Sequence, residues 1–149
     1  MRALLQRVTS ASVTVDGRVT GQIERGLLVL LGIHKEDTPA DGDWIAKKIL
    51  DCRIFPDDAG KMNRSVTDIG GQLLIVSQFT LYGDLAKGTR PSFTESMPGP
   101  LAKDFYLAWL AKLRATTALK IEEGEFAADM KVALVNDGPV TIWIDSKKA

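Results

Sequence analysis

The first third of the chain carries apolar and polar positions in patterns that predict β-strands. Residues 2–8 and 12–16 are predicted strands, the second with strict two-residue alternation. The Asp-Gly dipeptide at 16–17 signals a tight turn, so residues 18–24 are predicted to return antiparallel. Residues 27–33 form a continuous apolar run, which is typical of a strand buried on both faces. This opening favours a sheet or barrel over a helical bundle.

Helical spacing begins after this strand region. Thr38 as N-cap, Pro39 at the first helical position and Asp41 in the first turn are a typical helix start. The predicted apolar face of this helix consists of Trp44, Ile45, Ile49 and Cys52. Cys52 is interpreted as a small core residue, because no nearby basic side chain would activate its thiol.

A second helix is predicted over about residues 100–118. Its predicted core stripe follows i, i+4 spacing and consists of Leu101, Phe105, Trp109 and Leu113. Residues 55–72 predict a loop or short hairpin, and residues 83–100 predict a long loop. Residues 119–126 predict a short strand and turn, and residues 130–146 predict two strands joined or bent at 136–139.

These segments predict one α/β domain over residues 1–149, with about eight strands and two main helices. Antiparallel and mixed β-sheets are expected to form a barrel-like core, and the helices are expected to pack outside it. Neither an internal repeat nor an interdomain linker interrupts the pattern. The chain is therefore expected to fold around one continuous architecture.

Composition narrows the functional classes. Lys plus Arg and Asp plus Glu both number 19, so the chain lacks the overall positive charge that is typical of nucleic-acid-binding proteins. Binding of RNA through a local basic patch is still possible. No apolar run approaches the roughly 20 residues of a membrane span, and we expect no signal peptide, because the first residues, MRALLQRV, become polar after five positions. A single cysteine suits a reducing cytoplasm, and a single histidine with a single cysteine argues against a zinc site. We expect no metal, no cofactor and no membrane partner.

The central run 73–84 is the first stretch with candidate chemistry. A buried apolar strand over 73–76 ends in Ser77, Gln78, Phe79 and Thr80, which place donors and acceptors at a sheet edge. The simpler interpretation is a strand that runs into a turn. His34 has no local nucleophile or orienting acid, so we interpret it as a surface or capping residue.

Gly138-Pro139 is the second such stretch. Proline fixes φ and removes a donor, and glycine lets another group approach the backbone closely. The dipeptide could present two carbonyl groups as a rigid, stereospecific wall. A plain turn between two strands is the alternative.

The two stretches together resemble a known family. SQFTLYGD at 77–84 and NDGPVT at 136–141 are similar to the two signature motifs of the D-aminoacyl-tRNA deacylases. The resemblance extends over nearly the whole chain, through MRALLQRV at the start, KILDCRIFPDDAGKMN at 48–63 and KGTRPSF at 87–93. It implies a homodimer that hydrolyses the ester of D-aminoacyl-tRNA, and of glycyl-tRNA, while rejecting L-aminoacyl esters.

The resemblance also implies roles for particular residues. In the family a cis Gly-Pro motif, here Gly138 and Pro139, reaches into the partner's pocket, and Arg7 is expected to hold it. The segment of Ser77, Gln78, Phe79 and Thr80 corresponds to the catalytic floor. Phe126 and Met130 match the residues beside the terminal adenosine, and Ala127 stands where the family more often has glycine.

Our mechanistic hypothesis is that the amides of Phe79 and Thr80 stabilise the oxyanion while the substrate's 2′-OH helps to activate water. Thr80 lacks an adjacent base that would make it a nucleophile. Two other functions stay open at this point: a hydrolase of altered chirality, and a non-catalytic RNA- or ligand-binding dimer. Lys87 and Arg90 could meet phosphates or simply stand on a solvated loop.

Overall fold

The computed structural model describes residues 1–148. Within this range it contains eight strands: β1 Arg2–Val15, β2 Arg18–Ile23, β3 Gly26–Gly32, β4 Phe55–Pro56, β5 Met62–Arg64, β6 Gln72–Ser77, β7 Ile121–Glu123 and β8 Lys131–Asp145. The two α-helices in the same range are α1 Pro39–Asp51 and α2 Gly99–Thr116. No helix in residues 1–148 is long and apolar enough to cross a membrane. The predicted α/β class, with eight strands and two main helices, is confirmed.

Six of these strands form one mixed sheet that closes almost into a barrel. The order is β2-β1-β3-β6-β7, and β8 pairs with the other side of β1. Strands β3, β6 and β7 are parallel, whereas β1 runs antiparallel to each of its neighbours. The first and last strands of this order meet closely, since a Cβ on Gly21 of β2 would lie 2.6 Å from the Glu123 carbonyl oxygen.

The sheet separates two apolar clusters, which explains the continuous apolar runs of β3 and β6. Leu73 and Ile75 of β6 pack outward with both helices, while Leu74 and Val76 pack inside the barrel. The helices also contact each other directly: the Trp109 indole N–H donates to the Gly42 carbonyl oxygen at 2.9 Å. Both faces of β6 are buried along its apolar run, and the strand ends at Ser77, where this run stops. The candidate site described below begins at this end.

Strand β1 corrects the prediction of two separate strands at 2–8 and 12–16. It is continuous because it passes from one neighbour to another, pairing with β3 through Val8 and with β2 from Ala11 onward. Thr9 and Ser10 lie exposed at this transfer point. Their polarity marks a change of partner and not an end of the strand.

Helix α2 corrects the predicted core stripe. Leu101 is 63% exposed, and the buried face consists of Ala102, Tyr106, Trp109, Leu110 and Leu113. Steps of four residues advance about 400° around a helix, so a strict i, i+4 series drifts away from one side. Alternating steps of four and three residues keep the observed face toward the core.

A polar cluster ties the start of β1 to α1 and to residues after β8. The Met1 ammonium donates to Asp37 Oδ1 at 2.6 Å, and both side chains are fully buried. Burial opposes ionisation of Asp41, but hydrogen bonds from the helix N-cap backbone, Ser146 and Lys147 outweigh it and lower the pKa of Asp41. The predicted helix start is confirmed, with Pro39 as the first helical residue.

Candidate active site

A cavity of about 600 Å³ opens where the parallel strands β3 and β6 end. We call it the strand-end pocket and define it by Ser77, Gln78, Phe79, Phe126 and Met130, which all line it. The first turn of α2 forms another part of its wall. A cavity at the carboxyl edge of parallel strands, beside a helix start, is a common ligand position in mixed sheets.

The backbone of Phe79 and Thr80 has unusual hydrogen-bonding freedom. Both residues begin the 3₁₀ turn Phe79–Tyr82, so neither N–H has an acceptor inside the turn. Among residues 1–148, no other protein acceptor takes either N–H. By contrast, the Gln78 N–H is occupied by the Leu31 carbonyl oxygen at 2.7 Å. Two adjacent amides therefore stay available where β6 ends, and the first of them belongs to Phe79, which lines the pocket.

Side chains around this turn hold its position. The Gln78 side-chain amide donates to the Thr80 hydroxyl. The Ser96 hydroxyl donates to the Phe79 carbonyl oxygen at 3.1 Å, and the Phe79 ring meets the Phe93 ring edge-on at a centroid distance of 5.1 Å. Thr80 does not line the pocket itself, and its hydroxyl faces an amide and not a base.

Another part of the pocket wall comes from the loop between β7 and β8. Phe126 packs against Tyr106 of α2, with 5.6 Å between ring centroids. Gly124 allows Met130 to lie close to the backbone, since a Cβ at Gly124 would stand 2.6 Å from Met130 Sδ. Ala127 has φ +64°, a left-handed conformation that costs a residue with a Cβ about 1–2 kcal/mol.

His34 is confirmed as a capping residue and takes no part in a triad. Its Nε2 lies 3.0 Å from Glu95 Oε2, and its Nδ1 accepts the Glu36 amide at 3.1 Å. Hydrogen bonds from Lys35 and then from His34 lower the pKa of Glu95. Both imidazole nitrogens are thus occupied by residues outside the strand-end pocket.

Gly138 and Pro139 lie in a bulge of β8, and the bond between them is cis. In the ladder, Gln6 pairs with Thr141 and Val8 pairs with Asn136, so four residues of β8 face Arg7 alone. Strand β8 is thus one continuous strand with a local bulge, where the sequence left open a join or a bend. Both members of the dipeptide are exposed to solvent.

Arg7 fastens this bulge from the neighbouring strand. Its Nε donates to the Asp137 carbonyl oxygen at 3.0 Å, and its Nη1 donates to the Ile54 carbonyl oxygen at 2.7 Å. The side chain is only 12% exposed, so these charge-assisted bonds are well shielded. Within the bulge, Asn136 Oδ1 accepts the Val140 N–H at 3.0 Å.

The two candidate segments do not meet within one chain. Ser77 lies level with Leu31 of β3, whereas Arg7 lies level with Leu27. This offset of four residues corresponds to about 13 Å along the strands. The structure therefore joins Ser77, Gln78 and Phe79 with Phe126 and Met130, and it places Arg7, Gly138 and Pro139 elsewhere.

Among the pocket-lining residues to which sequence reasoning gave no role are Phe93, Ser96 and Met97. All three belong to the long loop before α2, for which the sequence indicated candidate phosphate contacts at Lys87 and Arg90 and a family resemblance over 87–93, but no contact with the pocket. Two large apolar side chains in a loop rich in glycine and proline are the signal that could have placed this loop against the site.

Comparison with known proteins identifies the class. The fold matches a solved structure described as that of a probable eukaryotic D-amino acid tRNA deacylase, with TM-score 0.81, 16% identity and coverage of 96% and 97% of the two chains. It also matches the c-Myc DNA Unwinding Element Binding Protein, with TM-score 0.93, 46% identity and coverage of 97% and 98%. The D-aminoacyl-tRNA deacylase of Thermosipho melanesiensis is 54% identical over 148 residues, and that of Desulfitobacterium hafniense strain Y51 is 55% identical over 148 residues; 99% of each chain is covered. The protein is thus a hydrolase that acts on aminoacyl-tRNA.

The family model described as D-Tyr-tRNA(Tyr) deacylase matches residues 4–145. The chain belongs to this family. The resemblance inferred from the SQFT and Gly-Pro motifs is confirmed. The predicted deacylase activity on a tRNA substrate is confirmed with it, so an enzyme is favoured over a non-catalytic binding protein.

Proposed function

We propose that the strand-end pocket hydrolyses the ester of D-aminoacyl-tRNA without a protein side chain as general base. Backbone N–H donors stabilise the oxyanion instead. The observation that carries this proposal is the pair of unpaired amides at Phe79 and Thr80. An aminoacyl ester is already labile, so oxyanion stabilisation supplies much of what the reaction needs. The absence of a base beside the Thr80 hydroxyl supports attack by water and not by Thr80.

In this mechanism a water oxygen attacks the ester carbonyl carbon, and the charge that develops on the carbonyl oxygen is accepted by the two amides. The ribose 2′-OH of the substrate helps to orient and activate the water. When the tetrahedral intermediate collapses, the bond from carbon to the ribose oxygen breaks, and that oxygen leaves with the proton that the water has lost. The products are a free D-amino acid and tRNA.

Phe126 and Met130 are proposed to bind the terminal adenosine. An aromatic ring and a polarisable thioether suit the flat face of a base, and both line the same pocket as Phe79. Ala127 stands between them in sequence with its methyl group exposed, so its left-handed backbone sets the direction of the loop.

Chiral selection is assigned to Gly138 and Pro139, which would enter the pocket of a second copy in a homodimer. Three features support this assignment: the dipeptide is exposed, Arg7 fixes it, and it lies about 13 Å along the sheet from the pocket of its own chain. The outer edge of β8 is unpaired in the sheet formed by residues 1–148, and Val135 and Trp143 expose 56% and 46% of their surface along this strand.

A rigid backbone wall would select by excluding the side chain of an L-aminoacyl group. Glycine has no side chain to exclude, so glycyl-tRNA is also a proposed substrate. A dimer of this kind would need residues of both copies in each site, since neither segment alone supplies both the floor and the wall.

The test of the backbone mechanism uses proline, which has no N–H. Phe79 is the first residue of its turn, where proline is well tolerated, and Gln78 before it has φ −144° and ψ 81°, outside the α region that a following proline disfavours. Phe79→Pro should lower kcat on D-tyrosyl-tRNA by about 10²–10³-fold relative to Phe79→Ala, which keeps the amide. Equal rates for the two variants would remove the Phe79 amide from the mechanism.

Chirality and metal independence are tested together on matched D-tyrosyl-, L-tyrosyl- and glycyl-tRNA in EDTA. Loss of the D and glycyl esters with the L ester spared is expected. Loss of all three would leave a hydrolase without the Gly-Pro wall. If D-tyrosyl-tRNA were hydrolysed and glycyl-tRNA were not, the pocket would need a D side chain for binding.

The dimer is tested by mixing Phe79→Pro with Gly138→Ala. Each mixed dimer should contain one site with both changes and one site with neither, so activity should return on mixing. A control shows that subunits of the wild-type protein exchange under the same conditions. If the mixture is then as inactive as each variant alone, the Gly-Pro wall does not come from the second copy.

A further inference from the structure

The rim of the strand-end pocket carries a projecting loop that the proposed reaction does not use. Asp84 and Ser92 close it with two backbone hydrogen bonds of 2.9 Å each, one in each direction. The loop starts directly after the 3₁₀ turn Phe79–Tyr82 and ends before Phe93, which packs against Phe79. Its base is therefore fixed at the pocket, while residues 85–91 extend into solvent.

This segment, which we call the rim loop (residues 84–92), has an unbalanced charge at its tip. Lys87 and Arg90 are the charged residues of 85–91, and both are exposed. The Asp84 carboxylate at its base is directed to the backbone, where Oδ1 accepts the Ala86 N–H at 2.9 Å. The tip thus carries two positive charges without an acid of its own.

Eight other exposed cations in residues 1–148 lie within ion-pair distance of a neighbouring acid. Examples are Lys47 with Asp51 at 2.6 Å and Lys112 with Asp43 at 2.6 Å. In the part of the chain that the structure describes, neither rim-loop cation has a carboxylate oxygen within the 4.0 Å of an ion pair. For a chain with 19 basic and 19 acidic residues, this makes the rim loop a local positive field beside the pocket.

We propose that the rim loop binds the phosphate backbone of the tRNA acceptor end, next to the nucleoside that carries the amino acid. Arg90 can hold a phosphate with two parallel N–H donors, and Lys87 supplies a mobile point charge. A seven-residue tip that folds back on itself reaches roughly 10 Å from its closing bridge, at 3.3 Å per residue. Nucleotides upstream of a terminal adenosine held by Phe126 and Met130 would therefore pass the loop. The proposal depends on the proposed function of the pocket.

Phosphate contacts are measured by their salt dependence. Each single-strand phosphate neutralised adds about 0.7 to the slope of log affinity against log salt. Lys87→Gln with Arg90→Gln should therefore lower this slope by about 1.4 for uncharged tRNA, measured by fluorescence anisotropy. In the same variant the KM for D-tyrosyl-tRNA at 50 mM salt should rise by about 10-fold, with kcat little changed.

The matched control removes two charges elsewhere: Lys47→Gln with Lys112→Gln, on the groove between α1 and α2. This variant should keep the wild-type slope, because exposed ion pairs contribute little and the groove is separate from the pocket. A rim-loop variant with the wild-type slope would overturn the proposal, and so would an equal loss of slope in the control.

A short ester separates failure of this proposal from failure of the proposed function. Wild-type hydrolysis of D-tyrosyl-adenosine, which has no phosphate, should be nearly independent of salt, whereas its hydrolysis of D-tyrosyl-tRNA should weaken as salt rises. Equal salt dependence on both esters would overturn the rim-loop proposal alone. If the wild-type protein spared both esters, the proposed function of the pocket would fall first.

Discussion

Replacing Gly138 by alanine tests the Gly-Pro segment directly, because the added methyl group meets atoms on more than one side. Its position lies 2.8 Å from Val140 Cγ2, 3.0 Å from the Val140 amide nitrogen and 3.2 Å from Arg7 Nη2. A rotation of the Val140 side chain relieves only the first of these contacts. The φ of +133° adds a second cost, since residues with a Cβ rarely adopt it.

The two costs can be combined into an expected effect. A sparsely populated backbone conformation costs about 1–3 kcal/mol, and overpacking costs about 1–3 kcal/mol, so the total is roughly 2–6 kcal/mol. Because the segment is an exposed bulge, we expect it to move and not to unfold the sheet. A displacement of about 1 Å at a positioning group lowers activity by about 10²-fold. We therefore expect kcat/KM on D-tyrosyl-tRNA to fall about 100-fold.

The assay compares deacylation rates with unfolding in urea. Gly60→Ala adds a methyl group at φ +78° with no atom within 4 Å, so it should deacylate at the wild-type rate. Gly88→Ala repeats the backbone strain at φ +138° in open space, so the difference in unfolding free energy from Gly138→Ala isolates the contacts with Val140 and Arg7. A Gly138→Ala variant that deacylates within about threefold of wild type would refute the reasoning.

Three further changes follow from positions described above. Ala127→Gly should stabilise the fold by about 0.5–1 kcal/mol in urea unfolding, because relief of the left-handed conformation exceeds the entropy cost of glycine; a lower unfolding midpoint would contradict this. The lowered pKa of Asp41 means that its stabilisation is fully present above its usual range near pH 4 and is lost as pH falls from that range through the folded value, so Asp41→Asn should flatten the acid loss of stability below about pH 5. An unchanged slope in the variant would show that other carboxyl groups dominate. Gly124→Ala places a methyl group 2.6 Å from Met130 Sδ and should raise the KM for D-tyrosyl-tRNA about 10-fold, or about 1.4 kcal/mol; an unchanged KM would separate Met130 from adenosine binding.

The parts of the fold that could be predicted from sequence are those that depend on local physics or on full burial. The start of α1 was predictable because Thr38, Pro39 and Asp41 act within one turn. The central strands were predictable because burial on both faces leaves an uninterrupted apolar run. The face of α2 was not, since Leu101 is as apolar as Leu113 and only packing decides which of the two is buried.

The composition of the pocket could not be predicted from residue patterns alone. Ser77 and Phe126 are far apart in the chain, and they meet because β6 and β7 pair in parallel across the α2 crossover. The family resemblance pointed to the SQFT and Gly-Pro segments as parts of the site. No local sequence feature predicts that the dipeptide at 138–139 lies away from the pocket of its own chain. That separation depends on the register of β1 against β3 and β8.

The long strand β1 also has a consequence for folding of the protein during its synthesis on the ribosome. It pairs Arg2 with Asp145, so its outer edge stays without a partner until residue 145 has been synthesised. Loops of this length close slowly compared with hairpins, and an open strand edge invites pairing with other chains. The strand that carries Gly138 and Pro139 is also the one that covers this edge. A nascent chain therefore keeps this edge open until the strand that carries the segment assigned to chiral selection has been added, and a chaperone that shields an extended edge would act in that interval.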